Sequence, residues 1–378
     1  MKRRLLGILV SLIIFLICFE LGSALLAHLG YLHRDLPTYS LKQVRERFWA
    51  EINPVFGVWH PANSEFRHRR SCYDVVYHSN SAGMRDVERS RSSDRPRTVV
   101  LGDSLIEGWG VHDENRITNQ LEKLTGKPHL NFGVAGYFGP NQYFMLYDSM
   151  AKSYDHDAVM VGIYPSNDFH DDDYEYWKAT GSWKGWYKPF LVGSYPDYKT
   201  IYPNQTLEGD HLPWNRYLVR WLREFSYSYT TGAHLFRQLR NVWRKEKTTP
   251  QGEAFSGYYD FTEERWDRMR FSLERLRKAA GDKKMTVLLI PESVDIQRFQ
   301  RSENRSPLHE KLAAWALEHQ VQLIDLLPFM AGQPDWPQLY FAPCDEHPND
   351  EGNRREAAFI AEQLNRKAAS QDSQKNKF

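Results

Sequence analysis

Five short apolar runs constrain this chain more than anything else in it. Thr98–Leu101, His129–Val134, Ala158–Tyr164, Met285–Ile290 and Val321–Leu327 are each about the length of one strand. They are largely continuous in Val, Ile, Leu and Met rather than alternating, as strands buried on both faces are. Helical periodicity separates them. Ile117, Leu121 and Leu124 share one helical face that Gly126 closes, and Asn141–Met150 reads as the next helix. Between Asp260 and Ala280, Trp266, Met269, Leu273, Leu276 and Ala280 form one apolar stripe, with Asp260 and Glu263 as the expected capping pair. Ala357, Ile360, Ala361 and Leu364 mark a last helix. Strands alternating with helices predict a three-layer α/β/α fold around a parallel five-stranded sheet.

The 378 residues, 41% of them hydrophobic, are enough for one large domain with insertions or for two smaller ones. A net charge of +1, with no dense Lys/Arg block, gives no case for nucleic acid. Three cysteines make no disulfide framework and none has metal-ligand spacing.

The first run stops at Gly102-Asp103-Ser104. This places a serine at the carboxyl end of a buried strand, where open α/β sheets bind ligands. Such a serine is a nucleophile if a base and oxyanion donors reach it, and otherwise a helix cap. Three further blocks follow strand-like runs: Asn131-Phe-Gly133-Val-Ala-Gly136, Tyr164-Pro-Ser-Asn167-Asp168 and Cys344-Asp345-Glu346-His347-Pro348-Asn349. Taken in this order, from Asp74 to Leu364 with a divergent middle, the chain resembles the SGNH (GDSL-type) hydrolase family. The resemblance implies a flavodoxin-like sheet, Ser104 as nucleophile, His347 as base and Asp345 as its orienting acid. It also implies the backbone N–H groups of Ser104 and Gly136, with the Asn167 amide, as oxyanion donors. Gly133, the rival to Gly136, reads as a packing glycine. Asp345 stands two residues before His347, where many members of the family have three, so a backbone carbonyl could share its role. No metal or organic cofactor is implied.

The activity this points to is a serine esterase removing acyl groups, acetyl among them, from an envelope carbohydrate or lipid. An O-acyltransferase would use the same residues, and a non-catalytic envelope scaffold would need none of them.

Residues 1–30 read as a membrane anchor. Basic Lys2, Arg3 and Arg4 precede an apolar run through Ala27 that only Glu20 interrupts. This predicts a single pass through the inner (cytoplasmic) membrane with the enzyme periplasmic; a signal cleaved near Ser23–Ala27 is the alternative. Glu20 then faces a partner helix, such as one in a membrane partner protein, sits protonated, or reaches water at the interface. Residues 31–97 read as an irregular juxtamembrane connector and N-terminal segment, and Asn80–Asp86 as a structural turn. Residues 98–367 read as the hydrolase domain and 368–378 as a disordered tail.

An aromatic-rich insertion spans 169–259. Its aromatic loop could stack on sugars or fold into a satellite core, and Asp171-Asp-Asp173 could hold a cation or be solvated. Two amphipathic patterns, Leu218/Trp221/Leu222/Phe225 and Leu235/Leu239/Val242, carry arginines that either meet headgroups or face solvent. Export puts Cys72 and Cys344 in an oxidising compartment. Because Cys344 lies on the loop that must aim His347, a Cys72–Cys344 bridge is expected, the alternative being two free thiols. Cys18 is expected as a buried thiol.

Overall fold

The computed structural model describes residues 2–32, 34–46, 48–49, 51–180, 187–204, 214–244, 254–302 and 306–375. Helix α1 (Lys2–His28) comes first. Strand β1 (Thr98–Gly102) leads into a one-turn helix α2 (Ser104–Glu107) and then α3 (Ile117–Thr125), which Gly126 ends in a left-handed cap. Next come β2 (His129–Gly133), α4 (Pro140–Ser149), β3 (Ala158–Ile163) and α5 (Pro165–Asp171). The insertion contributes α6 (Trp214–Phe225) and α7 (Tyr227–Arg244). The chain returns through α8 (Glu263–Ala280), β4 (Lys284–Leu289), α9 (Pro307–Glu318), β5 (Gln322–Asp325) and α10 (Asp350–Lys375).

All five strands pair in parallel, in the order β5-β4-β3-β1-β2. This is the expected sheet, and its apolar runs are buried from Val99 to Leu289. Edge strand β5 is the exception: only Ile324 of its four residues is fully buried. Helices α4 and α8 pack together over one face of the sheet, while α3 and α10 pack over the other. The Trp266, Met269, Leu273, Leu276 and Ala280 stripe is buried as anticipated. The cap of α8 is not: Thr262, rather than Asp260, accepts the Arg265 N–H, and Asp260 instead meets Ser256 and Arg298.

From β1 the chain first steps outward to β2, then crosses back beyond β1 to β3. The carboxyl ends of β1 and β3 therefore border the switch-point crevice of the sheet. Ser104 follows β1 and Asn167 follows β3, so the topology alone brings them to one edge.

Residues 31–97 are far from irregular. They form a short helix (Leu41–Arg45), a two-stranded piece (Glu51–Asn53 with Gly57–Trp59) and a hairpin (Glu65–Arg70 with Tyr73–His78). Phe56, Val58, Trp59 and Met84 join the main core. The aromatic loop folds largely into a satellite cluster. Trp177, Phe190 and Leu191 are buried, and Tyr187 stacks on Tyr202; Trp183 and Trp186 lie outside the described residues. None of the Asp171–Asp173 carboxylates is simply solvated. Lys188 sits beside Asp171, Asp172 accepts the Asn141 N–H at the start of α4, and Asp173 pairs with Arg265 and Arg268. At the other end of the chain, α10 runs on to Lys375, into the stretch expected as a tail.

Gly133 carries the packing role expected of it. A Cβ there would lie 2.1 Å from the Glu107 nitrogen and 2.6 Å from the Ile106 carbonyl carbon, both backbone atoms of α2. Backbone cannot swing aside as a side chain can, so Gly133→Ala is expected to cost about 2–4 kcal/mol and to displace the serine turn. Denaturant unfolding of the full-length variant checks this.

Candidate active site

Ser104 opens α2 because Asp103 caps it: the Asp103 carboxylate accepts the Leu105 N–H at 3.0 Å. The turn closes at Gly108, whose φ of 94° suits glycine and few other residues. Ser104 Oγ lies 2.7 Å from His347 Nε2, and His347 Nδ1 lies 2.5 Å from Asp345 Oδ1. The same Asp345 oxygen accepts the His347 backbone N–H at 3.1 Å. The two-residue spacing therefore serves the contact, because the carboxylate folds back over its own short turn. The residues come from opposite ends of the domain, 243 apart in sequence.

Asn167 stands beside the serine, donating one amide hydrogen to Asp103 Oδ2 at 3.0 Å. A carboxylate only accepts, so this bond fixes which way the amide points, with its nitrogen toward Asp103. Gly136 is buried on the loop after β2, and a Cβ there would meet Val58 at 2.3 Å.

The surroundings of Asp345 could not be read from sequence. Its outer oxygen takes a charge-assisted bond from the Arg70 guanidinium and the Trp109 indole N–H at 2.9 Å. The Tyr73 hydroxyl approaches it at 3.4 Å. Burial works against ionisation here, but the His347 hydrogen bond and charge, then Arg70 and Trp109, outweigh it and hold the carboxyl well below the usual carboxylate range. Trp109 also stacks on the His347 ring, with centroids 5.4 Å apart.

Behind Tyr73 runs a polar wire. Gly110 N–H donates to the Tyr77 hydroxyl oxygen at 2.7 Å; Tyr77 contacts His68 Nδ1 at 2.8 Å, and His68 Nε2 contacts Tyr73 at 3.1 Å. With Tyr73 donating to Asp345, each member has one direction open to it, and the whole wire points at the carboxylate. Cys72 and Cys344 are joined in a disulfide, tying the hairpin turn to the loop that carries Asp345 and His347. Cys18 is a free thiol on the outer surface of the apolar helix α1.

Asn80–Asp86, expected as a plain turn, supplies a clamp. Arg85 is fully buried, lies 3.5 Å from the Tyr77 ring centroid, and donates to the carbonyls of Glu107, Gly108 and Val111. Glu107 is buried too, held by the Trp49 indole, His60 and the Ala135 N–H. Arg70, Trp109, Tyr73, His68 and Arg85 belong to no spacing motif. The only sequence signal was an unusual density of Arg, His and aromatics between Phe66 and Arg85.

A serine, a histidine and a carboxylate hydrogen-bonded in series at the carboxyl edge of a 2-1-3-4-5 parallel sheet are the arrangement of an acyl hydrolase. Residues 240–355 match the GDSL-like Lipase/Acylhydrolase family, a span that takes in Asp345 and His347. Over that span the chain is similar to GDSL-like lipases and acylhydrolases. No curated protein matches the chain. Among solved structures it is similar to the lipase/acylhydrolase from Enterococcus faecalis, at 12% identity and TM-score 0.37 over 71% of this chain and 95% of that one. It is also similar to a GDSL-like lipase from Bacteroides thetaiotaomicron, at 9% and 0.37 over 74% and 93%. A two-domain esterase active on acetylated mannans matches at 10% and 0.33 over 72% of this chain and 49% of that one. The fold assignment rests on the sheet order itself.

Burial pushes His68 down to about 3, so the folded protein keeps it neutral. An unfolded histidine protonates below about 6.5. Between those values the unfolded chain binds the extra proton, so stability falls as pH drops from about 6.5 toward 3. Denaturant midpoints measured across this range should fall in the wild type, and His68→Gln should flatten that slope.

Proposed function

We propose that this protein is a serine esterase acting through an acyl-serine intermediate on an acylated carbohydrate or lipid of the cell envelope, acetyl being the simplest acyl group. The observation that carries the reading is the 2.7 Å contact between Ser104 Oγ and His347 Nε2, with Asp345 behind the ring. His347 Nε2 takes the serine proton as Oγ bonds to the ester carbonyl carbon. The oxyanion is met by the backbone N–H groups of Ser104 and Gly136 and by the second amide hydrogen of Asn167, the first being committed to Asp103. His347 then protonates the departing alcohol as its bond to carbon breaks. Water, deprotonated by the same nitrogen, attacks the acyl-serine and releases the carboxylic acid. Asp345, kept ionised by Arg70 and Trp109, stabilises the imidazolium that forms in each half.

Ser104→Ala and His347→Ala should each lower turnover of a short-chain aryl ester by several orders of magnitude, and Ser104→Ala should abolish fluorophosphonate labelling. Wild-type labelling of Ser104→Ala would point to a scaffold with an incidental reactive group. Asn167→Ala should cost about 10²–10³-fold, mostly in kcat. A change confined to KM would mean that Asn167 binds substrate instead.

The apolar helix Arg3–His28 has the length and composition shared by membrane anchors and secretion signals. We read it as an uncleaved anchor, with Lys2, Arg3 and Arg4 cytoplasmic and the enzyme periplasmic. A reporter fused after Phe378 should be active only outside the cytoplasm, and the protein should stay with membranes after high-salt washing. A shortened soluble form would show a cleaved signal.

A further inference from the structure

Glu20 has a partner within its own chain. Its carboxylate accepts the backbone N–H groups of Tyr227 at 2.6 Å and Ser228 at 2.9 Å, and the hydroxyls of Ser226 at 2.9 Å and Ser228 at 2.7 Å. These groups form the start of α7. A carboxylate at a helix N-terminus satisfies orphan donors and meets the positive end of the helix dipole. Arg34 closes the junction from the other side, donating to the Tyr227 carbonyl, the Thr230 hydroxyl and the Ser23 carbonyl. Ala24, Ala27, Leu36 and Tyr227 pack around it. Helix α7 is thus clasped to the last two turns of α1.

The position of that clasp along α1 carries the argument. At about 1.5 Å per residue, a hydrocarbon core of about 30 Å takes α1 from Leu5 to roughly Leu25. Glu20 then lies on the order of 7 Å inside the outer boundary, within the roughly 5–10 Å depth at which amphipathic interfacial helices bury their apolar faces.

The surface of α6 and α7 suits that depth. Leu218, Val219 and Trp221 of α6 are exposed, as are Leu235, Phe236 and Leu239 of α7, with Phe236 at 67%. Between Trp214 and Arg244 there are six arginines and a single acidic residue, Glu224, whose carboxylate is hydrogen-bonded to the Thr38 hydroxyl. Apolar side chains among arginines, on helices clasped to an apolar helix long enough to span a membrane, are the composition of a surface that lies in a headgroup layer.

We infer that α6 and α7 form a shoulder lying in the outer leaflet of the membrane that α1 crosses, with Leu235, Phe236 and Leu239 inserted among the acyl chains and the exposed Arg223 and Arg237 at anionic headgroups. The inference rests on reading α1 as an uncleaved anchor. It makes Glu20 an internal clasp, and it fixes the height of the enzyme above the bilayer by two contacts instead of a flexible tether.

The test uses the full-length protein in nanodiscs of phosphatidylethanolamine and phosphatidylglycerol, in a Cys18→Ala background. Phe236→Cys and, separately, Leu12→Cys are labelled with an environment-sensitive nitrobenzoxadiazole dye. A Phe236→Cys label that is blue-shifted, quenched by spin-labelled acyl chains and protected from aqueous iodide supports the shoulder. Quenching by iodide at that position, with the Leu12→Cys label quenched by lipid, overturns the shoulder while leaving the anchor intact. A Phe236→Cys label shielded from both quenchers also overturns it, in favour of a protein partner or a second copy. Labels in water at both positions overturn the anchor reading and the shoulder with it. As a variant that leaves the clasp alone, Leu235→Glu with Phe236→Glu and Leu239→Glu should keep wild-type activity on a soluble aryl ester while raising iodide quenching of a dye at a Leu218→Cys label at least twofold. No change in that quenching would count against the insertion.

Discussion

An ionised carboxylate can remain at a buried site only where donors surround it. Asp345 is such a group, and its donors come from places far apart in the chain: His347 beside it, Trp109 from the turn after Ser104, and Arg70 and Tyr73 from the hairpin. Removing an unpaired charge from water costs more than almost any other single term in folding. The segment before the first core strand is therefore part of the enzyme and not a spacer. It provides the guanidinium, the polar wire and the disulfide that hold the acid loop in place.

The same segment braces the Ser104 turn. Arg85 gathers three carbonyls at the end of the serine helix while lying against Tyr77 of the hairpin. Glu107, one turn on from Ser104, is satisfied by Trp49 and His60 from upstream and by Ala135 from the loop that leads to Gly136. The Ser104 turn, the Asp345 loop and the Gly136 loop share one buried polar scaffold, so small displacements in one are felt by the others.

At the N-terminal end, the single acidic residue of α1 follows the same physics. Glu20 is surrounded by donors at the start of α7, so the interruption in the apolar run is filled from within the chain.

How much of this was legible depends on the range of the interactions. Strand burial and helix periodicity are local, so the five-stranded parallel sheet, the α8 stripe and the Gly126 cap follow from residues close in sequence. Ser104 and Asn167 were legible because strand-ending blocks carry them to one edge of such a sheet, and Asp345 and His347 because their block precedes the last helix. Their supporting residues were not, because no periodicity marks an arginine that meets an aspartate 275 residues away. The cap of α8 fell to Thr262 for a related reason: Asp260 had a better partner in Arg298, and only the folded chain brings the two together. The amino-acid sequence by itself determined the layers, the strand ends and the residues proposed to react, since these depend on local pattern. Tertiary structure alone decided that the supposed connector encloses the acid and that Glu20 binds α7, because buried charge selects its partners by proximity in space.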